Sequence, residues 1–116
     1  MSCSAQADLC ICQGATLQQT FRWLSDDVAV DLTGYSAQFQ MRATEDSATA
    51  ALTLTSAGGG ISLGGVSGTF TLSASAASTS AITAGRYVYA VELTSPASVI
   101  RRIVEGVAKV SREVVR

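Results

Sequence analysis

Apolar and polar residues alternate with a period of two along much of the chain between Thr16 and Thr94. The alternation is clearest in Leu17-Gln-Gln-Thr-Phe-Arg-Trp, Ala37-Gln-Phe-Gln-Met-Arg, Thr69-Phe-Thr-Leu and Tyr87-Val-Tyr-Ala-Val-Glu-Leu. A strand sends successive side chains to opposite faces, so Phe21 shares a face with Trp23, and Phe39 with Met41. The segment at 35–43 gives the cleanest division. Tyr35, Ala37, Phe39 and Met41 form its core side, and Ser36, Gln38, Gln40 and Arg42 its solvent side.

The punctuation between these segments is that of turns. Ser25-Asp-Asp closes the strand at 16–24, and Val28-Ala-Val-Asp-Leu makes a short second strand that ends at Thr33-Gly34. A polar connection at 44–49 leads to Leu52-Thr-Leu-Thr. Gly58-Gly-Gly and Gly64-Gly65 then bracket Ile61-Ser-Leu, and a further strand follows at Gly68-Thr-Phe-Thr-Leu-Ser. The small, polar stretch from Ser73 to Ala84 holds one helical turn at Ala76-Ala-Ser-Thr-Ser-Ala, because its alanines favour helix and its serines and threonines keep it short.

Strand 86–94 places Tyr87, Tyr89, Val91 and Leu93 on one face. Ser95-Pro-Ala-Ser turns the chain into a last strand at 99–111, with Val104, Ala108 and Val110 inward. Ile103 and Val107 have the opposite parity. A bulge, or a face packed against another subunit, accounts for this double apolar pattern. Eight or so short strands joined by such turns predict an all-β sandwich, with a small barrel as the competing architecture.

The 116 residues suit one domain, read as an N-terminal arm at 1–12 and a single β-sandwich at 13–116. Eight basic residues against nine acidic ones offer no broad attraction to nucleic acid or to an anionic membrane. Arg101, Arg102, Lys109, Arg112 and Arg116 are too few, and too mixed with apolar residues, to make a nucleic-acid groove. No apolar run reaches the length of a membrane span, and the first residues lack a signal-peptide core, so neither membrane insertion nor standard secretion is expected. Only 15% of the residues are charged, and the low-charge surface this implies suits a subunit packed against neighbours.

Candidate chemistry is sparse. With no histidine, the usual base near neutral pH is missing, and the serines form no nucleophile elbow or triad. Asp26, Asp27, Asp31, Glu45 and Asp46 lie in turns, where such side chains cap backbone amides; paired carboxylates for glycoside hydrolysis and weak cation binding are the alternative roles. The glycine-rich turns lack the lysine and helix of a phosphate loop. Trp23, Tyr87 and Tyr89 fit a core, and could otherwise meet a neighbouring subunit or stack on a sugar.

Cys3, Cys10 and Cys12 are odd in number and cannot make a complete disulfide scaffold within one chain. Reduced structural or partly buried thiols, a disulfide through Cys3 or another chain, and a metal site are all open readings. The Cys10-Ile-Cys spacing is short for zinc. No catalytic residue, cofactor or metal is expected.

Taken in order, several blocks resemble small β-sandwich proteins of tailed-phage virions: baseplate, neck or tail accessory proteins and the attachment domains of upper-baseplate proteins. They are Gln13-Gly-Ala-Thr-Leu-Gln-Gln-Thr-Phe-Arg-Trp, Val30-Asp-Leu-Thr-Gly-Tyr-Ser-Ala-Gln-Phe-Gln-Met-Arg, Gly60-Ile-Ser-Leu-Gly-Gly-Val-Ser-Gly-Thr-Phe-Thr-Leu, Ala84-Gly-Arg-Tyr-Val-Tyr-Ala-Val-Glu-Leu-Thr-Ser and Glu105-Gly-Val-Ala-Lys-Val-Ser. The resemblance covers residues 13–111 and implies an immunoglobulin-like antiparallel β-sandwich of about seven to eight strands. The cysteine-bearing arm departs from the pattern.

The implied function is that of a noncatalytic virion subunit, assembled in the host cytoplasm and joined to copies of itself and to other virion proteins. An unpaired sheet edge and the N-terminal arm are its expected means of attachment. Leu9, Ile11, Trp23, Ile103 and Val107 form the expected interface. The alternatives are a receptor- or carbohydrate-binding tail module, with Trp23 or a tyrosine in a groove, and a capsid decoration protein.

Overall fold

The computed structural model describes residues 5–25 and 27–112; Cys3, Asp26 and Arg116 lie outside them. Eleven strands are present among the described residues: β1 (Ala5–Gln6), β2 (Leu9–Cys12), β3 (Leu17–Arg22), β4 (Leu24–Ser25), β5 (Val28–Ala29), β6 (Ser36–Arg42), β7 (Leu52–Thr55), β8 (Ile61–Leu63), β9 (Thr69–Ala74), β10 (Gly85–Thr94) and β11 (Ile100–Ser111). One short helix, α1 (Ala76–Ser80), lies between β9 and β10, where the alanine-rich turn was expected.

Two sheets pack face to face in a sandwich-like arrangement. In the larger, β7, β6, β10 and β11 are antiparallel neighbours, and β1 and β2 both run parallel to β11 along its far side. The smaller sheet has the order β3-β9-β8, and β4 and β5 form a separate hairpin. The alternating positions meet between the sheets. Ala37, Phe39 and Met41 of β6 and Tyr89, Val91 and Leu93 of β10 are buried with Phe70, Leu72 and Ala74 of β9. The Phe39 and Tyr89 rings lie 5.6 Å apart, and the cross-strand pair Phe21 and Phe70 stack at 5.4 Å.

The last strand resolves the mixed parity seen in sequence. Val91 pairs with Val104 but Glu92 pairs with Arg102, leaving Ile103 as the extra residue of a β-bulge. The bulge lets Ile103 pack against the core beside the inward Val104, Ala108 and Val110.

The segment expected to be a free arm is part of the large sheet from Ala5 onward. Leu9 is 4% and Ile11 1% exposed, both inside the core. Between β1 and β2 the ladder is interrupted: the Ala7 N–H still donates to the Glu105 carbonyl at 3.0 Å, but the Ala7 carbonyl accepts the Tyr89 hydroxyl at 2.6 Å. A β-carbon on Gly106 would collide with that carbonyl oxygen, so the glycine in the middle of β11 marks a close backbone approach.

At the end of the sandwich that carries α1, polar contacts tie the loops together. The buried Thr79 hydroxyl donates to the Ala15 carbonyl at 2.8 Å and accepts the Gly14 N–H at 3.1 Å, while the Gln13 amide donates to the Ile82 carbonyl at 2.7 Å. Ser75 caps the helix by accepting the Ser78 N–H. This network fixes the turn between β2 and β3.

Candidate functional site

The opposite end of the sandwich is different in character. Registry brings three connections there: the segment 23–35 after β3, the 3-10 turn Gly65–Ser67 before β9, and the 95–99 turn between β10 and β11. Arg22 pairs with Thr69, Ser36 with Thr94, and Thr94 with Ile100, so all three connections leave the sheets on the same side. They are also joined directly. The Trp23 N–H donates to the Gly68 carbonyl at 2.8 Å, the Leu32 N–H to the Gly65 carbonyl at 2.9 Å, and Gly34 packs against the Pro96 ring.

Gly68 makes this junction close. It has φ 70°, and an added β-carbon would stand 2.8 Å from the Trp23 oxygen and 3.0 Å from the Val30 nitrogen. Trp23 itself is half-buried, with its ring edge-on to Tyr35 at 6.4 Å. That packing holds the indole in the wall of the loop end.

Leu24, Val28, Val66, Val99 and Ile100 are the exposed large apolar side chains among the described residues, and all five sit at this end. Val66 is 74%, Val28 67% and Ile100 63% exposed, too open to belong to the core. Single exposed apolar residues are ordinary, but here all five large ones gather at one end of the sandwich. Sequence reasoning missed these residues. Their signal was a valine between turn residues, as in Gly65-Val-Ser, and apolar pairs flanking the Ser25 and Pro96 turns.

Charged groups at the loop end hold loops in place. Asp31 accepts the Thr33 hydroxyl at 2.6 Å and the Thr33 N–H at 3.0 Å, and these two bonds, the hydroxyl first, hold its carboxyl below the ordinary carboxylate range. Asp27 sits in the turn between β4 and β5 with φ 64°. Asp31 is thus a turn cap, as the sequence suggested.

A shallow open groove of about 800 Å³ crosses the outer face of the large sheet, lined by outward side chains of β6, β10 and β11. Val88, Ala90 and Val107 make its apolar floor, and Glu45, Asp46 and Glu92 stand among its charged residues. The Arg42 guanidinium donates to the Gln40 side chain and the Ser47 carbonyl, both at 2.9 Å, and Arg102 pairs with Glu105 at 3.3 Å.

The five expected interface residues do not come together. Leu9 and Ile11 are core residues of this chain: a strand that alternates inward and outward looks the same whether it pairs with its own β11 or with a neighbour. Trp23 belongs to the loop end, Ile103 fills the bulge, and Val107 pairs with Val88 in the groove floor. The outward residues of β2 are Cys10 and Cys12, which are free and exposed thiols, not partly buried ones. Among the described residues no group of three or more histidine, cysteine, aspartate or glutamate side chains could hold a metal ion, and no helix is long and apolar enough to cross a membrane.

Comparison with protein-family models and with curated proteins finds no match for this chain.

Proposed function

We propose that this chain is a noncatalytic structural subunit of a tailed-phage virion, an immunoglobulin-like module that joins neighbouring proteins of the tail, baseplate or neck. The observation that carries an assembly role is the gathering of Leu24, Val28, Val66, Val99 and Ile100 at one end of the sandwich. Such a surface gains from burial against a protein partner, at roughly 25 cal/mol for each Å² of apolar area removed from water. The phage context rests on the resemblance of the ordered sequence blocks.

Two features support the immunoglobulin-like reading. Taking β1 and β2 as one edge strand, the order edge-β11-β10-β6-β7 against β3-β9-β8 corresponds to the strand arrangement of the variable-type immunoglobulin sandwich. The Tyr87 hydroxyl, near the start of β10, donates to the Thr83 carbonyl four residues upstream at 2.6 Å, a contact similar to the tyrosine corner of that fold.

Incorporation into particles tests the proposal. Gradient-purified virions should retain the wild-type chain and lose the triple variant Leu24→Ser, Val66→Ser, Ile100→Ser, although that variant keeps its thermal midpoint. A wild-type chain absent from purified particles sinks the virion assignment; a triple variant retained as well as wild type sinks the loop end as the contact.

A further inference from the structure

The edge strand β2 combines an unpaired side with two outward thiols. Its pairing with β11 is parallel, and the Ala7 and Gln13 N–H groups donate to the Glu105 and Ser111 carbonyls at 3.0 and 2.9 Å. Backbone direction alternates along a strand, so the odd residues 9 and 11 aim their N–H and C=O groups at β11 while Cys10 and Cys12 aim theirs at the open side. The side chains divide the same way: Leu9 and Ile11 enter the core, and Cys10 and Cys12 stand exposed on the outer face. Among the described residues no strand pairs with β2 on that open side.

We infer that the open edge of β2 pairs antiparallel with β2 of a second copy of this chain, with Cys10 facing Cys10 of the partner and a disulfide linking the two. This names one partner and one contact for the assembly reading, and it is tested without particles, so either proposal can fail alone. The argument is one of register. A strand pairing with its own copy about a two-fold axis sets one residue opposite itself. With the axis at Cys10, the two cysteines exchange a pair of N–H to C=O bonds and their α-carbons stand about 5.5 Å apart. That separation lies within the range a disulfide spans, about 4.4–6.8 Å.

Cys12 is the less suitable centre. Its carbonyl already accepts the Ala15 N–H at 3.1 Å in the turn that leads to β3. The Cys10 centre makes no demand on that carbonyl for its own pair of bonds. A partner strand also removes the exposed edge that otherwise invites unspecific pairing.

The chemistry balances with a disulfide oxidant. The Cys10 thiolate attacks oxidised glutathione, forming a mixed disulfide and releasing one glutathione thiolate. The partner's Cys10 thiolate then attacks the Cys10 sulfur and releases the second. Two protein thiols are oxidised to one disulfide, one glutathione disulfide is reduced to two thiols, and the two protons lost as the cysteines ionise are taken up by the two released glutathione thiolates.

The experiment treats the full chain with oxidised glutathione and follows dimer by nonreducing electrophoresis, with peptide mass mapping of the link. The wild type and the Cys3→Ser and Cys12→Ser variants should form dimer, and Cys10→Ser should form none. A control chain with all three cysteines changed to serine and Ala48→Cys presents one exposed thiol on the connection between β6 and β7, away from the edge and from the loop end. It should dimerise about tenfold more slowly or less, because edge pairing raises the effective concentration of the facing thiols. In the linked dimer, the Cys10 amide should exchange with deuterium more slowly than in the reduced chain. Dimer persisting in Cys10→Ser, a link mapped to Cys3 or Cys12, or a control as fast as wild type each overturns the proposal.

Discussion

Tyr89 and Gly106 face each other across β10 and β11, and the space that the glycine leaves open holds the Ala7 carbonyl, which the Tyr89 hydroxyl binds at 2.6 Å. A residue of the core thereby fastens the edge of the sheet. The tyrosine ring contributes packing against Phe39, and its hydroxyl satisfies a carbonyl that has turned out of the ladder.

Tyr89→Phe keeps the ring and removes the bond. It should lower unfolding stability by about 1–2 kcal/mol, the cost of leaving a partly buried acceptor without its donor. Urea unfolding measures the loss. Native-state hydrogen exchange should show it concentrated in residues 5–12, with β6 and β9 little changed.

The same hydroxyl makes the fold sensitive to alkali. Burial, and secondarily the negative charge of Asp8, push its pKa up to about 12 from the ordinary value of 10.0. The folded state therefore holds this proton more tightly than the unfolded chain does. Its contribution is complete below about pH 10 and is lost as pH rises through about 12, since the unfolded state binds fewer protons in that window. Stability measured in urea between pH 9 and 12 should fall less steeply for Tyr89→Phe than for wild type.

Gly106→Ala tests the other half of the pair. The new methyl group meets backbone, which cannot swing aside as a side chain can, so the N-terminal segment must lift from β11. A loss of about 2 kcal/mol or more is expected, within the range for overpacking. Combined with Tyr89→Phe the losses should be less than additive, because both variants release the same segment.

Thr79→Ala addresses the opposite end. It removes a buried hydroxyl that bridges the Gly14 amide and the Ala15 carbonyl, and should cost about 1–3 kcal/mol. In contrast, single serine substitutions at Val28 or Val66 should change stability by no more than about 0.5 kcal/mol, as expected for exposed positions. Thermal melts of the three variants distinguish the knitted end from the bare one.

Much of the framework was legible in the sequence because period-two alternation reports burial directly. Phe39 with Met41, Tyr89 with Val91 and Leu93, and Val104 with Ala108 and Val110 all face inward as their parity requires. The doubling at Ile103 left a bulge and a packed face as alternatives in the sequence, and within this chain a bulge holds it.

Periodicity contains no information about which strand ends coincide in space, and so the loop end was not visible. Val66 and Ile100 lie far apart in the chain and reach the same end of the sandwich only through the registers of two different sheets. Nor could parity say whose β11 receives Leu9 and Ile11. Gly106 in mid-strand was the one local sign that another backbone comes close, and its meaning depended on Ala7, at the other end of the sequence.

The pairing of β1 and β2 with β11 also sets an order of events during folding. Ala5 lies beside Val104, so the edge of the large sheet joins residues separated by almost the whole described chain. While the chain is being synthesised, Leu9 and Ile11 must wait without their partner strand until β11 has emerged. The smaller sheet and the β6–β7 hairpin can form from nearby segments, whereas this edge closes a long loop and is expected to form late. Until it does, two apolar side chains and two thiols are presented together on an unprotected strand, which leaves the nascent chain open to mispairing for as long as β11 is lacking.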